Sequence, residues 1–355
     1  MTPNSKNEAN NSKLKTSRLR ASAPGHLLTN NWLIYALGGG WGHLNRALSL
    51  GRIAATQRKV TILTNSPYAK QLGDEGCIVQ HIPHDADFVA TCQQVREIVL
   101  NTQCDRLIID TFPRGLGGEL ADILPQLHHI PRILIHRDIN PHYITAKKLR
   151  KFVAENFDGV IVPGEGEDLP FCDLPRVQHT PPWLIRNPWE LADSINTEIL
   201  KVDQSVKIIL VCAAGQASEL PLFTQLTLRL HEEFPECAVR ILAANCPEEC
   251  PQKLWVSHHP GIECIAVADI VVGGAGYNTV YECAALGVPL VAFAFKRMYD
   301  RQEKRASKSY QVQDIENAIA TVRMLLNQVK SAKKPSVPNY INGAMQAVRL
   351  IEEIF

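Results

Sequence analysis

Long apolar runs are missing from this chain of 355 residues. The longest, AALGVPLVAFAF at residues 284–295, falls short of the ~20 residues that a membrane-spanning helix needs. A secretory signal would place an apolar stretch of roughly 7 to 15 residues after the first basic residues, and none stands there. We therefore expect a cytoplasmic protein that is at most attached to a membrane surface.

An excess of charge of one sign is missing as well. Lys plus Arg number 37 and Asp plus Glu number 36, so the charge balance gives no reason to expect a nucleic acid as partner. Residues 1–30 are an exception in composition, because they are rich in Asn, Ser and Lys and carry Glu8 as their only acid. Such a polar tail cannot bury a core, and we expect it to be disordered.

The ten cysteines are scattered and form no disulfide framework, so free thiols are expected in a cytoplasmic protein. One group could in principle bind zinc: Cys246, Cys250, His258, His259 and Cys264. Their spacing matches no common zinc pattern, and Cys264 lies in what reads as a strand. We therefore predict no metal site there.

Short apolar segments alternate with segments of helical periodicity from residue 32 onward. The predicted strands are WLIYAL (32–37), KVTILT (59–64), CIVQHI (77–82), RLIIDTF (106–112), RILIHRD (132–138), GVIVP (159–163), KIILVCAA (207–214), AVRILAA (238–244), ADIVVGG (268–274) and PLVAFAF (289–295). The predicted helices lie near 43–55, 88–100, 117–127, 143–156 and 220–234. Near-continuous apolar strands separated by helices are typical of parallel sheets covered on both faces, so we predict an α/β fold.

The alternation is broken once, by the proline-rich passage LPRVQHTPPWLIRNPWEL at 174–191. We predict two Rossmann-like parallel-sheet domains that face each other across a cleft. The N-terminal domain spans 31–185, a linker spans 186–205, and the C-terminal domain spans 206–355, with a last helix that can pack back on the N-terminal domain. In such pairs the ligand lies between the carboxyl ends of the two sheets.

The stretch GGGWGHLNRALSL, residues 38–50, follows the first predicted strand directly. A strand, a glycine turn and a helix start form an anion site, because free backbone N–H groups and the helix dipole favour negative charge. Gly39, Gly40 and Gly42 would bring an acceptor or phosphate close to the backbone, and His43 would stand at the mouth of the cleft. The alternative is that the glycines only allow close packing of helix and strand.

Two common nucleotide motifs are absent from this stretch. The spacing of a GxGxxG fingerprint fails, since its third glycine would fall on His43 or Asn45. The second predicted strand ends in LTN at 63–65, where a dinucleotide site needs an acidic residue. No GK[ST] follows the glycines either, which disfavours both an oxidoreductase and a P-loop nucleotidase.

A second glycine turn lies in ADIVVGGAGYNTVYECAALGVPLVAFAF, residues 268–295. The predicted strand ends at the glycines and a helix begins near Asn278 or Thr279, which again suits a phosphate. Glu282, one turn into the helix, can accept hydrogen bonds from a ribose. Asp300 and Gln302 follow in MYDRQEKRA and could bind the hydroxyl groups of a sugar.

Together these motifs resemble the glycosyltransferases of the two-Rossmann (GT-B) fold. They resemble especially the group of the peptidoglycan N-acetylglucosaminyltransferase and monogalactosyldiacylglycerol synthase. The motif matches cover about a fifth of the chain, and the order of strands and helices extends the likeness over residues 32–355. The second glycine motif is the more specific of the two.

The resemblance implies a UDP-linked nucleoside-diphosphate sugar as donor substrate and no cofactor. It assigns Gly274, Ala275 and Gly276 to the diphosphate, with Thr279 nearby, Glu282 to the ribose, and Asp300 and Gln302 to the donor sugar. Gly215 and Gln216, in the loop AAGQAS, match a second diphosphate contact, and backbone near 242–266 would bind the base. SKSYQVQDIENAIATVRMLL follows RQEKRA almost at once, which predicts a shortened C-terminal lobe.

Sugar transfer with inversion needs a base for the acceptor's proton, and histidine suits that task. His43 is the candidate base, and the resemblance places Asp110, at the end of RLIIDTF, as its partner. An orienting role for His43 and a loop-capping role for Asp110 stay open. Glycine turns, helix starts and Arg297 could offset the diphosphate charge without a metal, so the DxD triplet in HDAD (84–87) is not expected to bind one.

The acceptor is not determined by the sequence. HYITAKKLRKF at 142–152 combines four basic residues with apolar ones and could rest on anionic lipid, or could be an ordinary solvated helix face. A lipid-linked acceptor is therefore a hypothesis. We predict transfer of a hexose or N-acetylhexosamine, with a nucleotide-sugar epimerase and a catalytically silent sugar-nucleotide binding protein as alternatives.

Overall fold

The computed structural model describes residues 30–164, 166, 169–194, 197–203, 205–328 and 339–355. Over these ranges the chain forms two sheets in which every strand pairing is parallel, one of seven strands and one of six. The predicted fold class, two Rossmann-like domains, is confirmed. The tail predicted to be disordered lies, apart from Asn30, outside the described residues.

The first sheet has the strand order β3-β2-β1-β4-β5-β6-β7. Its strands are β1 Asn31–Tyr35, β2 Lys59–Thr64, β3 Ile78–His81, β4 Arg106–Asp110, β5 Arg132–Ile135, β6 Gly159–Pro163 and β7 Val177–Thr180. Alternate residues of β1 enter two separate apolar cores, Trp32 and Ile34 on one face and Leu33 and Tyr35 on the other. Both faces are therefore covered, as near-continuous apolar strands require.

The second sheet repeats the order as β10-β9-β8-β11-β12-β13. Its strands are β8 Ile208–Cys212, β9 Ala238–Leu242, β10 Trp255–Val256, β11 Ile270–Gly274, β12 Leu290–Phe293 and β13 Tyr310–Val312. In each sheet the order reverses between two central neighbours, β1 and β4 in the first, β8 and β11 in the second. Such switch points open a crevice at the carboxyl ends of the strands, where ligands bind.

Helices connect the strands of both sheets. They are α1 Trp41–Ala54, α2 Phe88–Asn101, α3 Pro141–Ala146, α4 Leu149–Asn156, α5 Pro188–Ser194, α6 Leu220–Glu233, α7 Gly261–Val267, α8 Tyr277–Leu286, α9 Gln302–Ala306, α10 Ile315–Gln328 and α11 Gly343–Glu353. The first residues of α1 and α8 follow the glycine turns at the two switch points. These two helix starts therefore face the same crevice region.

Several local predictions were wrong. The helix expected over 117–127 is a series of turns and a short 3-10 segment at Leu124–Leu127, because Gly115 and Gly118 have positive φ and Pro125 follows. The helix expected over 143–156 is divided into α3 and α4 by Lys148, which is left-handed at φ 50°. Cys264 lies in α7 and not in a strand.

Three strands arise where the sequence pattern did not indicate them. β7 lies within the proline-rich passage, β10 lies between β9 and α7, and β13 follows shortly after α9. All three are edge strands, and they pair along one side only. An edge strand of two to four residues carries too little apolar alternation to be recognised.

The last described helix returns to the first sheet. α11 packs against α1, β6 and β7, and its Ala344, Ala347, Val348 and Ile351 enter the same core as Trp32. β7 ends at Thr180 and β8 begins at Ile208. The linker boundaries at residues 186 and 205 stay predictions.

Contacts also join the two domains directly. Ile139, after β5, forms an antiparallel bridge with Asp300, and the Asn140 N–H donates to the Tyr299 carbonyl at 3.2 Å. The Arg301 Nε donates to both Asp138 carboxylate oxygens, at 2.8 and 2.9 Å. The two domains are therefore in direct contact between the segment after β5 and residues 299–301.

Candidate active site

A cavity of about 330 Å³ lies between the two domains. From the N-terminal domain it is lined by Trp41, Gly42, Asn45 and Gln71. The C-terminal domain contributes the remaining walls, including the turn before α8 and the loop after β8. The cavity therefore lies where the carboxyl ends of both sheets predict a ligand.

The first glycine turn is shaped by Asn65, the last residue of LTN. Its Oδ1 accepts hydrogen bonds from the Gly38 and Gly39 N–H groups at 2.8 and 3.1 Å. These two donors are therefore already used, in contrast to the free N–H groups expected. Gly40 and Gly42 have open space where a Cβ would stand, as does Gly39, so a ligand could approach the backbone there.

His43 and Asp110, the predicted base and its partner, are in direct contact. His43 Nδ1 lies 2.6 Å from Asp110 Oδ2, with the His43 side chain 15% exposed and that of Asp110 2% exposed. A Cβ on Gly38 would overlap the His43 ring at Cδ2 and Nε2, so this glycine makes room for the imidazole. An ionised carboxylate can only accept, so His43 donates from Nδ1 and presents its lone pair at Nε2.

Arg46 is a site residue that the sequence reading missed. It is 1% exposed, and its Nε and Nη2 donate to the two oxygens of Asp110, each at 2.6 Å. Burial alone would raise the pKa of Asp110, but Arg46 and His43 hold it well below its usual range. The three-residue interval between His43 and Arg46 on one helix was the signal that could have found it.

The second glycine turn follows β11 as predicted from its sequence. α8 begins at Tyr277 after Gly276, slightly earlier than the expected start at Asn278 or Thr279. Gly274, Gly276 and Thr279 line the cavity. Ala275 does not, because it is fully buried and its backbone is bonded to Phe293 and Arg305.

Glu282 is the most unusual acid of the cavity wall. It is 6% exposed, lines the cavity, and has no hydrogen-bond or ion-pair partner within the described part of the chain. Burial raises its pKa to about 7. A buried carboxylate without a partner is costly, so this position favours a ligand that donates hydrogen bonds to it.

The loop after β8 is occupied by a carboxylate. Gly215 lines the cavity, but a Cβ on it would overlap Glu219 Oε2, so the Glu219 carboxylate covers this glycine. Gln216 lies outside the cavity lining and caps the short helical turn at Ala217–Glu219. Arg297 donates to Glu219 and neutralises it, so two opposite charges stand where a second diphosphate contact was expected.

The two residues assigned to the donor sugar differ in position. Gln302 lines the cavity, and its Oε1 accepts from the Phe295 N–H at 3.0 Å. Asp300 is not among the lining residues and is paired with Arg137 at 2.8 Å and with Arg305. Burial would raise the pKa of Asp300, but the two arginines hold it well below its usual range.

An aromatic stack that includes two cavity-lining residues, Trp41 and His259, joins the two domains. The Trp41 ring is stacked on Tyr68 and on His259, with 4.7 Å between centroids in both pairs. His259 Nε2 also lies 2.8 Å from Asn45 Oδ1, and burial lowers the pKa of His259 to about 4. Leu242, Ser257 and other residues of 242–266 form the adjacent wall, the region expected to bind a base.

The sequence groups considered for metal binding are used otherwise. Asp87 of the DxD triplet caps α2, accepting from the Val89 and Ala90 N–H groups at 3.0 Å each. His258 binds Glu263 at 2.7 Å, and Cys264 is buried in the core. Over the described ranges no three His, Cys, Asp or Glu side chains come together as ligands.

The basic stretch 142–152 does not present an apolar face. Ile144, Leu149 and Phe152 are buried in the core of the first domain, and Tyr143 packs at its edge. The stretch therefore lacks the exposed apolar face that a membrane-surface helix inserts. In the part of the chain that the structure covers, no helix has the length and apolar character to cross a bilayer.

No family model and no curated protein sequence matches the chain. Solved structures do resemble it. The glycosyltransferase SnogD from Streptomyces nogalater superposes with a TM-score of 0.58 at 12% identity, covering 92% of this chain and 96% of that one. The glycosyltransferase SsfS6 of Streptomyces sp. SF2575, in complex with thymidine diphosphate, gives 0.57 at 13% identity over 91% and 95%.

The glycotransferase of kitacinnamycin is similar to the same degree, with a TM-score of 0.56 at 15% identity over 91% of this chain and 98% of that one. At such identities the likeness establishes the fold. The chain thus has the GT-B fold of glycosyltransferases. None of the three is described as a member of the peptidoglycan or galactolipid group.

Proposed function

We propose that the protein is a glycosyltransferase that moves a hexose or N-acetylhexosamine from a nucleoside-diphosphate sugar, UDP-linked, to an acceptor without a metal. The observation that carries the proposal is the unpartnered Glu282 carboxylate in a cavity between the domains. Ribose hydroxyls would satisfy it, and the α8 helix start beside it would receive the phosphates. The complex of the similar SsfS6 with thymidine diphosphate supports a nucleotide ligand.

His43 acts as the base in this proposal. Its Nε2 takes the proton of the acceptor hydroxyl while the acceptor oxygen attacks the sugar carbon and the nucleoside diphosphate leaves. Asp110 keeps the imidazole in the tautomer that has an unprotonated Nε2. A base placed in this way contributes roughly 10²- to 10⁴-fold in rate.

The narrower likeness to the peptidoglycan and galactolipid group remains part of the proposal. It is supported by GGAGYNTVYE and by the adjacent DRQEKRA. A lipid-linked acceptor would fit that group, and a cytoplasmic location would give access to nucleotide sugars. The buried apolar residues of the basic stretch provide no support for membrane contact through that segment.

The test is incubation of the purified protein with a panel of nucleotide sugars, read by mass spectrometry, with and without EDTA. Slow release of nucleoside diphosphate that survives EDTA and is lost in His43→Ala supports the proposal. His128→Ala, a change of an exposed loop histidine, is the matched control. Absence of both binding and turnover with every nucleotide sugar would overturn it.

Two alternative functions, a nucleotide-sugar epimerase and a binding protein without turnover, are each favoured by one observation. Glu219 places a second carboxylate in the cavity, which an epimerase acting on the donor sugar would need. The same residue covers Gly215, which would suit a binding protein without turnover. Epimer formation in the panel identifies the first alternative, and binding without any product identifies the second.

A further inference from the structure

Arg46 adds two hydrogen bonds to Asp110 beside the one that joins His43 to this carboxylate. Its side chain leaves the same face of α1 as His43, and its two donors bind the two carboxylate oxygens. Asp110 Oδ2 therefore accepts from His43 and from Arg46 at once, both at 2.6 Å. Nη2 of Arg46 also donates to Thr111 Oγ1 at 3.0 Å, which fixes the orientation of the guanidinium.

This geometry decides how much negative charge His43 experiences. A buried carboxylate next to an imidazole favours the imidazolium and raises its pKa, unless a cation cancels the charge. Burial lowers the pKa of His43, Asp110 opposes this, and the cations Arg46 and Arg137 lower it again. Arg137 is itself paired with Asp300, so Arg46 is the cation that directly offsets Asp110.

Arg46 is also held from the opposite domain. Its guanidinium carbon lies 5.5 Å from the centroid of the Tyr277 ring, at the first residue of α8. The ring face attracts a cation and replaces part of the water that the buried guanidinium has lost. The arginine therefore lies between the predicted base and the helix that starts the donor site.

We propose that Arg46 is a positioning residue for the base: it neutralises and orients Asp110, so that His43 keeps its proton on Nδ1 and remains unprotonated on Nε2 at neutral pH. The inference rests on the proposed transfer function, in which His43 is the base. It assigns to the motif GHLNR a role for its arginine in addition to its histidine. Arg46 acts through Asp110 and does not touch the reacting atoms.

The first measurement is the ¹⁵N NMR spectrum of histidine-labelled wild-type protein, with the His43 signals identified by their loss in His43→Ala. We expect a neutral ring with the proton on Nδ1 at pH 7. An imidazolium or a proton on Nε2 at this pH would overturn the proposal. This result does not depend on any enzymatic activity, so it is separate from failure of the proposed function.

The second measurement is the titration of His43 in Arg46→Met and Arg46→Gln. Both substitutions remove the positive charge of residue 46. Arg46→Gln keeps a hydrogen-bond donor for Asp110, so it serves as the test variant if the Arg46→Met protein does not fold. The pKa of His43 should rise by at least about one pH unit, because Asp110 is then unopposed. Arg52→Met, on the same helix but paired with Glu75 and Glu190, should leave it unchanged.

The double variant Arg46→Gln/Asp110→Asn removes both charges together. It should return the pKa of His43 to the wild-type value or below, whereas a general loss of structure would not. If transfer is observed, the acid-side pKa of the pH–rate profile should rise in Arg46→Gln by the same amount as the pKa of His43 measured by NMR. A folded Arg46→Gln protein with an unshifted His43 would show that Arg46 is only structural.

Discussion

Binding of a nucleotide sugar should release a proton from Glu282. Among the described residues the carboxyl group has no hydrogen-bond or ion-pair partner, and burial raises its pKa to about 7. Ribose hydroxyls donate to the ionised form and stabilise it. Donor affinity should therefore be constant above about pH 8 and should fall by up to tenfold for each pH unit below 7, because the group must first lose its proton.

The expected loss of donor affinity follows from the free energy of one hydrogen bond to a charged group. A hydrogen bond to a charged group contributes about 1.5 to 3 kcal/mol, so Glu282→Gln should weaken donor binding at pH 8 by roughly 10- to 150-fold. The variant should also lose the pH dependence. In the wild type, by contrast, the weakening should reverse as pH rises from 5.5 to 8.

Calorimetry in two buffers of different ionisation enthalpy measures both quantities. A nucleotide sugar is the suitable ligand, because its phosphates stay ionised over this range and take up no proton. Close to one proton should be released per site near pH 6 and none at pH 8. The 2′-deoxy form of the same donor is the matched control, since it removes one hydroxyl and leaves the protein unchanged.

The proton count of Glu282→Gln is subtracted from that of the wild type, so that the difference reports on Glu282 alone. A wild-type affinity that does not change with pH would refute the ribose assignment. So would an unaltered affinity in the glutamine variant at pH 8.

Further outcomes concern the two loops. His43→Ala should lower turnover by about 10² or more with little change in donor affinity, measured as kcat and Kd; near-normal turnover would direct the search for the base elsewhere. Gly38→Ala should displace the His43 ring and lower kcat, and equal kcat in wild type and Gly38→Ala would contradict this. Gly40→Ala places its methyl group in open space, so it should leave the fold and the NMR titration of His43 unchanged. Glu219→Gln should tighten donor binding by releasing Arg297 to the diphosphate, and weaker binding by calorimetry would show that the carboxylate is itself a ligand contact.

The sequence predicted the fold class because its evidence was repetitive. Each buried strand of a parallel sheet is a continuous apolar run, and ten such runs lie at nearly the observed positions. The failures fall where local signals compete. The segment 117–127 has apolar residues at helical spacing, but its glycines adopt turns, and Lys148 interrupts a second helix with a left-handed residue.

The positions of some predicted site residues could be foreseen where motif and backbone position coincide, while their roles stay predictions. His43, in the first turn of α1, meets Asp110 at the end of β4, and Glu282 lines the cavity in the second turn of α8. Ala275 and Asp300 illustrate the limit of this reasoning, because a residue next to a site can point into the core or be held by ions.

Contacts between distant segments were not predictable from the sequence. Neither the stack of Trp41 on His259 nor the pairing of Asp300 with Arg137 has a signal in local spacing, since the partners are far apart in the chain. Glu219 was overlooked because it follows the loop that was matched, and only the structure places its carboxylate over Gly215.

The return of α11 to the first sheet has a consequence for the order of folding. A ribosome that has released residues 31–185 has made all seven strands of that sheet, yet the core beside Trp32 still lacks Ala344, Ala347 and Ile351. Completion of the first domain must therefore wait until the second has been synthesised. A protein cut in the linker should consequently yield an N-terminal half with an uncovered apolar face, which a peptide of residues 339–355 would restore to solubility.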